Sequence, residues 1–85
     1  DMANAMNVLD IDLGTKDLDT VLQTGIYRIG SSCTNTPPAS GQTMGSILLH
    51  LSWDDNAAKQ IYFPYDNNTL YYRYKTVRWS AWRQL

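Results

Sequence analysis

Three apolar segments with a period of two lie between residues 46 and 76, separated by two short turns rich in Asp and Asn. Residues 46–53, 59–65 and 70–76 each place large apolar side chains at every second position. Because successive side chains of a strand point to opposite sides, this period predicts three half-buried β-strands. Residues 54–56 and 66–68 are typical turn formers. The pattern therefore predicts an antiparallel meander.

The first thirty residues add weaker signals. Leu9, Ile11 and Leu13 alternate with aspartates, which predicts an extended lead-in segment or edge strand with these three side chains inward. Residues 26–29 are rich in β-formers and predict a further short strand.

A single short helix is expected between these two segments. Asp17 can cap its first turn, Leu18, Val21 and Leu22 share one helical face, and Gly25 is a typical C-terminal stop. Such a helix has about two turns and must lie against a sheet to be stable. The fold class predicted is mainly β: a small antiparallel sheet of about four to five strands with one short N-terminal helix.

The small size of the chain limits its core. It has 85 residues, enough for one domain, and a domain of this size buries only roughly 60–65% of the surface of its unfolded chain. Cys33 is the only cysteine, so no disulfide within the chain supports the core. A lone cysteine fits maturation in a reducing cytoplasm. Self-association is the remaining common way to stabilise so thin a core.

Charge and hydropathy argue against two classes of partner. The net charge is −1, which gives no case for nucleic acid. The longest apolar runs have only a few residues, far short of the ~20 needed to span a bilayer. We therefore expect neither nucleic-acid binding nor membrane insertion.

The residues that carry catalysis are sparse. His50 is the only histidine and lies mid-strand, where we expect it on the outer face of the sheet. Cys33 has no adjacent base, and no zinc or phosphate motif is present. The acidic residues of both turns lack a complete calcium-ligand set. The chain is predicted not to be an enzyme, with no cofactor and no metal site.

Aromatic residues are concentrated in the second half of the chain. Nine of the ten follow residue 52, and the tyrosines fall on both faces of their strands. Only one face can form the core, so rings on the other need a cover. Three interpretations remain open: contact with other subunits, stacking on sugar rings, and cross-strand pairs that stabilise the sheet.

Several short motifs resemble those of one known family. Residues 79–85 (WSAWRQL) resemble the terminal W-S-x-W-x-x-L signature of phage tail-fibre domains, and residues 17–21 (DLDTV) with 24–27 (TGIY) resemble their opening. The segments 35–37, 45–51, 60–62 and 72–73 follow in matching order. Together, residues 16–85 resemble the pyocin-knob domain of R-type pyocin fibres and phage receptor-binding proteins. Val77 and Arg78 depart from the pattern, because a glycine-rich turn often precedes the tryptophan there.

The resemblance implies a distal tail-fibre module, assembled as a homotrimer, on a protein that recognises the bacterial surface. It would be made in the bacterial cytoplasm and carried on the virion at the fibre tip. Its ligand would be surface polysaccharide, lipopolysaccharide or teichoic acid; the alternative is a trimerising module without a ligand. Residues 1–15 lie outside the resemblance and would be a linker or lead-in strand from the fibre shaft. The chain starts without an initiator methionine and is expected to be cut from a longer protein.

Strand parity and loop position select the candidate binding residues. Trp79 and Trp82 are three positions apart and cannot share one face of a strand, so Trp79 is expected inside and Trp82 outside or between subunits. The candidate ligand-binding residues are Asn35, Asp54, Asn67, Tyr71, Arg73, Arg78 and Trp82.

Overall fold

A computed structural model of the chain describes residues 7–38 and 42–85. These residues form one sheet of seven strands. The strands are β1 (Asn7–Asp12), β2 (Gly25–Arg28), β3 (Ile47–Asp54), β4 (Ala57–Phe63), β5 (Tyr71–Thr76), β6 (Arg78–Trp79) and β7 (Arg83–Gln84). Within the described ranges, no helix has the length and apolar character needed to cross a membrane.

The sheet follows the chain order closely. Its strands are arranged β1-β2-β3-β4-β5-β6, and β7 also pairs with β5. The β1–β2 pair is parallel and all other pairs are antiparallel. The mainly β prediction and the β3–β5 meander are confirmed. The sheet has more strands than the expected four to five, because β6 and β7 are too short to show an alternation in the sequence.

One face of the sheet, the inner face, carries the core. Three cross-strand rows lie on it: Tyr27, Leu48, Tyr62 and Tyr71 in the first, His50, Gln60 and Arg73 in the second, and Ser52, Ala58 and Lys75 in the third. Side chains from the N-terminal half pack over these rows. The buried apolar residues from that half are Leu13, Leu18, Val21, Ile29 and Cys33.

The expected two-turn helix is instead a single 3-10 turn, Leu18–Thr20. Asp17 does cap it, since its carboxylate accepts a hydrogen bond from the Asp19 amide at 2.8 Å. The turn ends at once because Val21 is already extended. The Leu18 amide donates to the Thr34 carbonyl, so the backbone is bonded to the following loop. Leu18 and Val21 are buried as the helical pattern required, but the placement of Leu22 on the same face is wrong. Leu22 is 53% exposed because the chain is already extended at Val21.

Strand β1 is an edge strand, one of the two forms expected for this segment. Leu13 is buried, but the inward placement of Leu9 and Ile11 is wrong because both are exposed. The register between β1 and β2 is irregular between Val8 and Asp12, and Leu9 adopts a φ of 62°. This irregularity breaks the simple alternation on which the prediction depended.

His50 is on the inner face, so its predicted position on the outer face is wrong. Its side chain is 1% exposed and lies in register with Gln60. The alternation in β3 was predicted correctly, but the inner and outer faces of the strand were exchanged. Leu48 and His50 face the core, whereas Leu49 and Leu51 face outward.

The opposite side, the outer face, is also largely apolar. Its side chains are exposed or half-buried, and every described strand belongs to the same sheet, so no second sheet covers them. The sequence-based expectation that rings would occupy both faces is therefore confirmed. The outer-face residues are Ile26, Arg28, Ile47, Leu49, Leu51, Trp53, Lys59, Ile61, Phe63, Tyr72, Tyr74 and Thr76.

Candidate functional site

Two surfaces qualify as candidate sites: a cleft beside the C-terminal segment, and a groove on the outer face. The cleft has a volume of about 410 Å³ and brings three of the predicted residues together: Asn35, Arg73 and Trp82. Asp19 and Trp79 also line it. The other four predicted residues lie elsewhere.

Arg73 organises the cleft from the middle of β5. Its guanidinium carbon is 4.3 Å from the centroid of the Trp79 ring and 4.5 Å from that of Trp82. The two tryptophans therefore share one partner, contrary to the expectation of one ring inside and one outside. They can do so because the strand pairing is interrupted between β6 and β7, so the alternation of a continuous strand does not apply.

The polar atoms of Arg73 are directed inward. Its Nε donates to Gln60 Oε1 at 2.8 Å, and its Nη1 forms an ion pair with Asp19 Oδ1 at 2.8 Å. The residue is only 5% exposed, and burial lowers the pKa of Arg73 while the Asp19 carboxylate opposes that shift. The expected placement of Arg73 at the surface is therefore wrong, whereas its contact with a ligand stays a prediction.

Gln60 fixes the protonation state of its neighbour. Because its Oε1 accepts from Arg73, its Nε2 must face Leu18 and His50, 2.9 Å from the Leu18 carbonyl and 3.1 Å from His50 Nδ1. His50 Nδ1 is therefore an acceptor, and the ring is neutral with its proton on Nε2. Burial lowers the pKa of His50 to about 4, with the charges of Arg73 and Lys75 adding to the effect.

The cleft is closed on its other side by the loop after β2. Trp82 Nε1 donates to the Asn35 carbonyl at 2.8 Å, and Asn35 Nδ2 donates to Asp17 Oδ1 at 2.7 Å. One ring face of each tryptophan is already covered by Arg73, and the Trp82 N–H is used within the chain. These contacts hold the C-terminal segment against the sheet and against the loop after β2.

The remaining predicted residues are divided between the two ends of the sheet. Asp54 and Arg78 are exposed at the end that holds the β3–β4 and β5–β6 turns. Asn67 lies in the loop between β4 and β5 at the other end, where its Oδ1 accepts from the Thr69 amide. Tyr71 is half-buried and packs against the core. The seven residues thus do not form one site.

The outer-face groove lies at the same end of the sheet as Asp54. Its volume is about 590 Å³, and Leu51, Trp53, Lys59 and Tyr74 are among its lining residues. Trp53 is 88% exposed and Tyr74 is 51% exposed. Neither residue is among the binding residues predicted from the sequence, although their strand parity places them with the outward side chains of β3 and β5.

A β-bulge explains the exposure of Trp53. The pairing of β3 with β4 shifts register between Ser52 and Asp54, which leaves Trp53 as the extra residue. Bulges bend a strand and re-aim the side chain at the bulge. Here the result is an indole ring that stands off the sheet beside the groove.

The arrangement of the described residues bears on metal binding and on the reactivity of the thiol. No cluster of three or more His, Cys, Asp or Glu side chains that could hold a metal occurs among residues 7–38 and 42–85. The Cys33 thiol is buried and donates to the Gly14 carbonyl, and burial raises the pKa of Cys33. A raised pKa keeps a thiol protonated and weakly nucleophilic.

Comparison of the chain with models of protein families, with curated proteins and with solved structures finds no match.

Proposed function

We propose that this chain is a receptor-binding module of a phage tail fibre or tail-like particle, and that it attaches to glycan on the bacterial surface. The single observation that carries the proposal is the outer-face groove, where Trp53 and Tyr74 are exposed beside an apolar floor. The motif order in residues 16–85 supports the assignment to a fibre.

The groove has the properties of a sugar subsite. Its volume of about 590 Å³ falls within the usual size of small-molecule sites. Aromatic rings offer flat apolar surfaces on which the C–H faces of a pyranose can stack, and tyrosine adds a hydroxyl at its tip. Lys59, at the groove, supplies hydrogen-bond donors for sugar oxygens.

A homotrimer is the second part of the proposal. Away from the groove, the outer face carries Leu49, Ile61, Phe63 and Tyr72 in neighbouring cross-strand positions. Large apolar patches on small proteins usually mark interfaces. Three copies that share this patch would present three grooves at one fibre tip, and avidity would raise the attachment strength well above that of a single site.

The test is binding of the purified chain to an array of bacterial lipopolysaccharides, capsular polysaccharides and wall teichoic acids. We expect at least one glycan to bind, and Trp53→Ala to lose at least tenfold in affinity while the far-UV circular dichroism is unchanged. Leu22→Ala, an exposed residue on the segment that covers the inner face, is the matched control and should bind normally.

If no glycan on the array binds, glycan attachment by this chain is wrong. A chain that still forms trimers would then support the second candidate, a trimerising fibre module without a ligand. The apolar patch on the outer face is the observation that favours this candidate.

A further inference from the structure

The register of β3, β4 and β5 determines the shape of the groove. Leu51, Lys59 and Tyr74 form one cross-strand row on the outer face, and Asp54, Ala57 and Thr76 form a row at the end of the sheet. Neighbouring strands are about 4.8 Å apart, so β3 and β5 are separated by about 10 Å. Ala57, with its small side chain, lies between them and keeps the floor low.

Trp53 and Tyr74 therefore stand on the two sides of a shallow trough. Trp53 belongs to β3 and Tyr74 to β5, with Ala57 and Lys59 of β4 between them. A six-membered ring stacked on Trp53 would lie beside Ala57, whose small side chain leaves room for it. The apolar floor would exclude water from below the ring.

The charged side chains that line the trough in the described part of the chain are all positive. Lys59 lies between Leu51 and Tyr74 in the middle row, and Lys75 also contributes to the lining. Among residues 7–38 and 42–85, no Asp or Glu lines the groove. In the described part of the chain the ion pair formed is that of Arg73 with Asp19, which leaves Lys59 without a carboxylate partner.

The two lysines do not contribute equally. Lys75 Nζ lies 5.7 Å from the centroid of the Trp79 ring, on the inner side of the sheet. Its charge is therefore directed toward the core side and the C-terminal segment. Lys59 is exposed on the outer face, so it is the cation that a ligand in the trough would meet.

We propose that the trough binds an acidic pyranose, with the apolar face of the sugar ring on Trp53 and its carboxylate or phosphate group on Lys59 Nζ. This inference rests on the proposed function and names the class of glycan for it. A carboxylate would come from a uronic acid of a capsule, and a phosphate from a substituted lipopolysaccharide core or a teichoic acid. Both place a negative charge next to an apolar ring face.

The experiment compares three sugars that share one ring. The probes are methyl galactopyranoside, the same sugar with a carboxylate at C6, and the same sugar with a phosphate at C6. Binding to the full chain is followed by nuclear magnetic resonance, with the indole N–H of Trp53 as the local reporter. We expect both acidic sugars to bind at least tenfold more tightly than the neutral one and to shift the Trp53 signal.

Two pairs of variants separate the contribution of Lys59 to sugar binding from that of Trp53. Lys59→Gln should remove the preference for the acidic sugars, whereas Lys16→Gln, a matched change of an exposed lysine far from the groove, should keep it. Trp53→Ala should lose binding of all three sugars, and Trp53→Phe should retain part of it. The more tightly bound of the two acidic sugars identifies the source of the anion.

Three results would overturn the inference. The first is equal binding of the neutral and acidic sugars, and the second is an unchanged preference in Lys59→Gln. The third is a shift of the Trp53 signal on dilution without any sugar, which would place the groove between copies of the chain. If the array of bacterial glycans still shows binding in these cases, glycan attachment stands and only the acidic subsite fails.

Discussion

At the scale of single residues, Val77 is the most strained position in the described part of the chain. Its φ is +76°, a left-handed conformation that β-branched residues rarely adopt. The residue lies between β5 and β6, and its amide donates to the Asn56 carbonyl at 2.8 Å. The tight turn between β5 and β6 therefore has a conformational cost at a residue that carries a Cβ.

Val77→Gly should stabilise the fold. Left-handed strain costs about 1–2 kcal/mol for a residue with a Cβ, and glycine loses roughly 0.5–1 kcal/mol through its greater freedom in the unfolded chain. Val77 is 68% exposed, so little burial is lost. The difference between the two ranges is a gain of up to about 1.5 kcal/mol, which corresponds to a rise of up to several degrees in melting temperature.

Thermal unfolding followed by circular dichroism measures this change. Val8→Gly is the matched control, because Val8 is an exposed strand residue outside the left-handed region. It should destabilise the chain or leave it unchanged. A lower melting temperature for Val77→Gly than for the parent chain would contradict the proposed strain.

At the scale of elements, a row of polar side chains crosses the inner face of β3, β4 and β5. His50, Gln60 and Arg73 are buried in register and are linked by hydrogen bonds. Partnered polar groups are tolerated in a core, but the row depends on a neutral His50 that accepts from Gln60. The free energy of unfolding of the chain should therefore depend on pH.

The direction of this dependence follows from the pKa of His50. Burial lowers it from 6.5 to about 4, so the unfolded chain binds the proton more tightly than the folded chain. The stabilising contribution is complete above pH 6.5 and is lost as the pH falls toward 4. The loss is at most about 1.4 kcal/mol per pH unit.

Urea unfolding at pH 7.0, 6.0 and 5.0 measures this effect, since the aspartates of the unfolded chain titrate mainly below that range. His50→Gln removes the titrating group and should show a flatter profile than the parent chain. Equal pH slopes for the two proteins would mean that His50 is not the group responsible.

The sequence was most informative for the elements with strong alternation. The apolar residues of β3, β4 and β5 and the Asp- and Asn-rich turns were sufficient to predict the meander. The buried polar row was not predicted, because alternation defines two faces without saying which is covered. The N-terminal segments that cover the inner face have irregular backbones, and Leu18–Thr20 shows how a helical pattern can end after one 3-10 turn.

The candidate site, like the fold, was predicted only in part. The alternation of the strands predicted rings on both faces of the sheet. The candidate residues, however, were taken mainly from loops and from the C-terminal segment, and not from the ends of strands. Trp53 was missed because the two faces of β3 were exchanged in the prediction, and because the bulge that adds to its exposure depends on how two strands pair. Arg73 was chosen because it alternates with tyrosines, but its position between Trp79 and Trp82 depends on contacts that are distant in sequence.

At the scale of the whole molecule, the thin core and the apolar outer face together predict self-association. The chain has a mass of 9.7 kDa, and its described residues bury a single face of one sheet. We expect sedimentation equilibrium at micromolar concentration to give a mass near that of three chains, about 29 kDa. A mass of one chain at every concentration would contradict both the trimer and the proposed role of the outer face.

Phe63→Lys tests which face is responsible. Phe63 lies on the outer face in register with Ile47, and a lysine there would place a charge inside the interface. The variant should sediment as a monomer while its circular dichroism spectrum stays close to that of the parent. Leu22→Lys adds the same charge on the side that covers the inner face and should still form trimers. Both side chains are exposed in the single chain, so a monomeric Phe63→Lys with an unchanged circular dichroism spectrum, beside a trimeric Leu22→Lys, would assign the interface to the outer face.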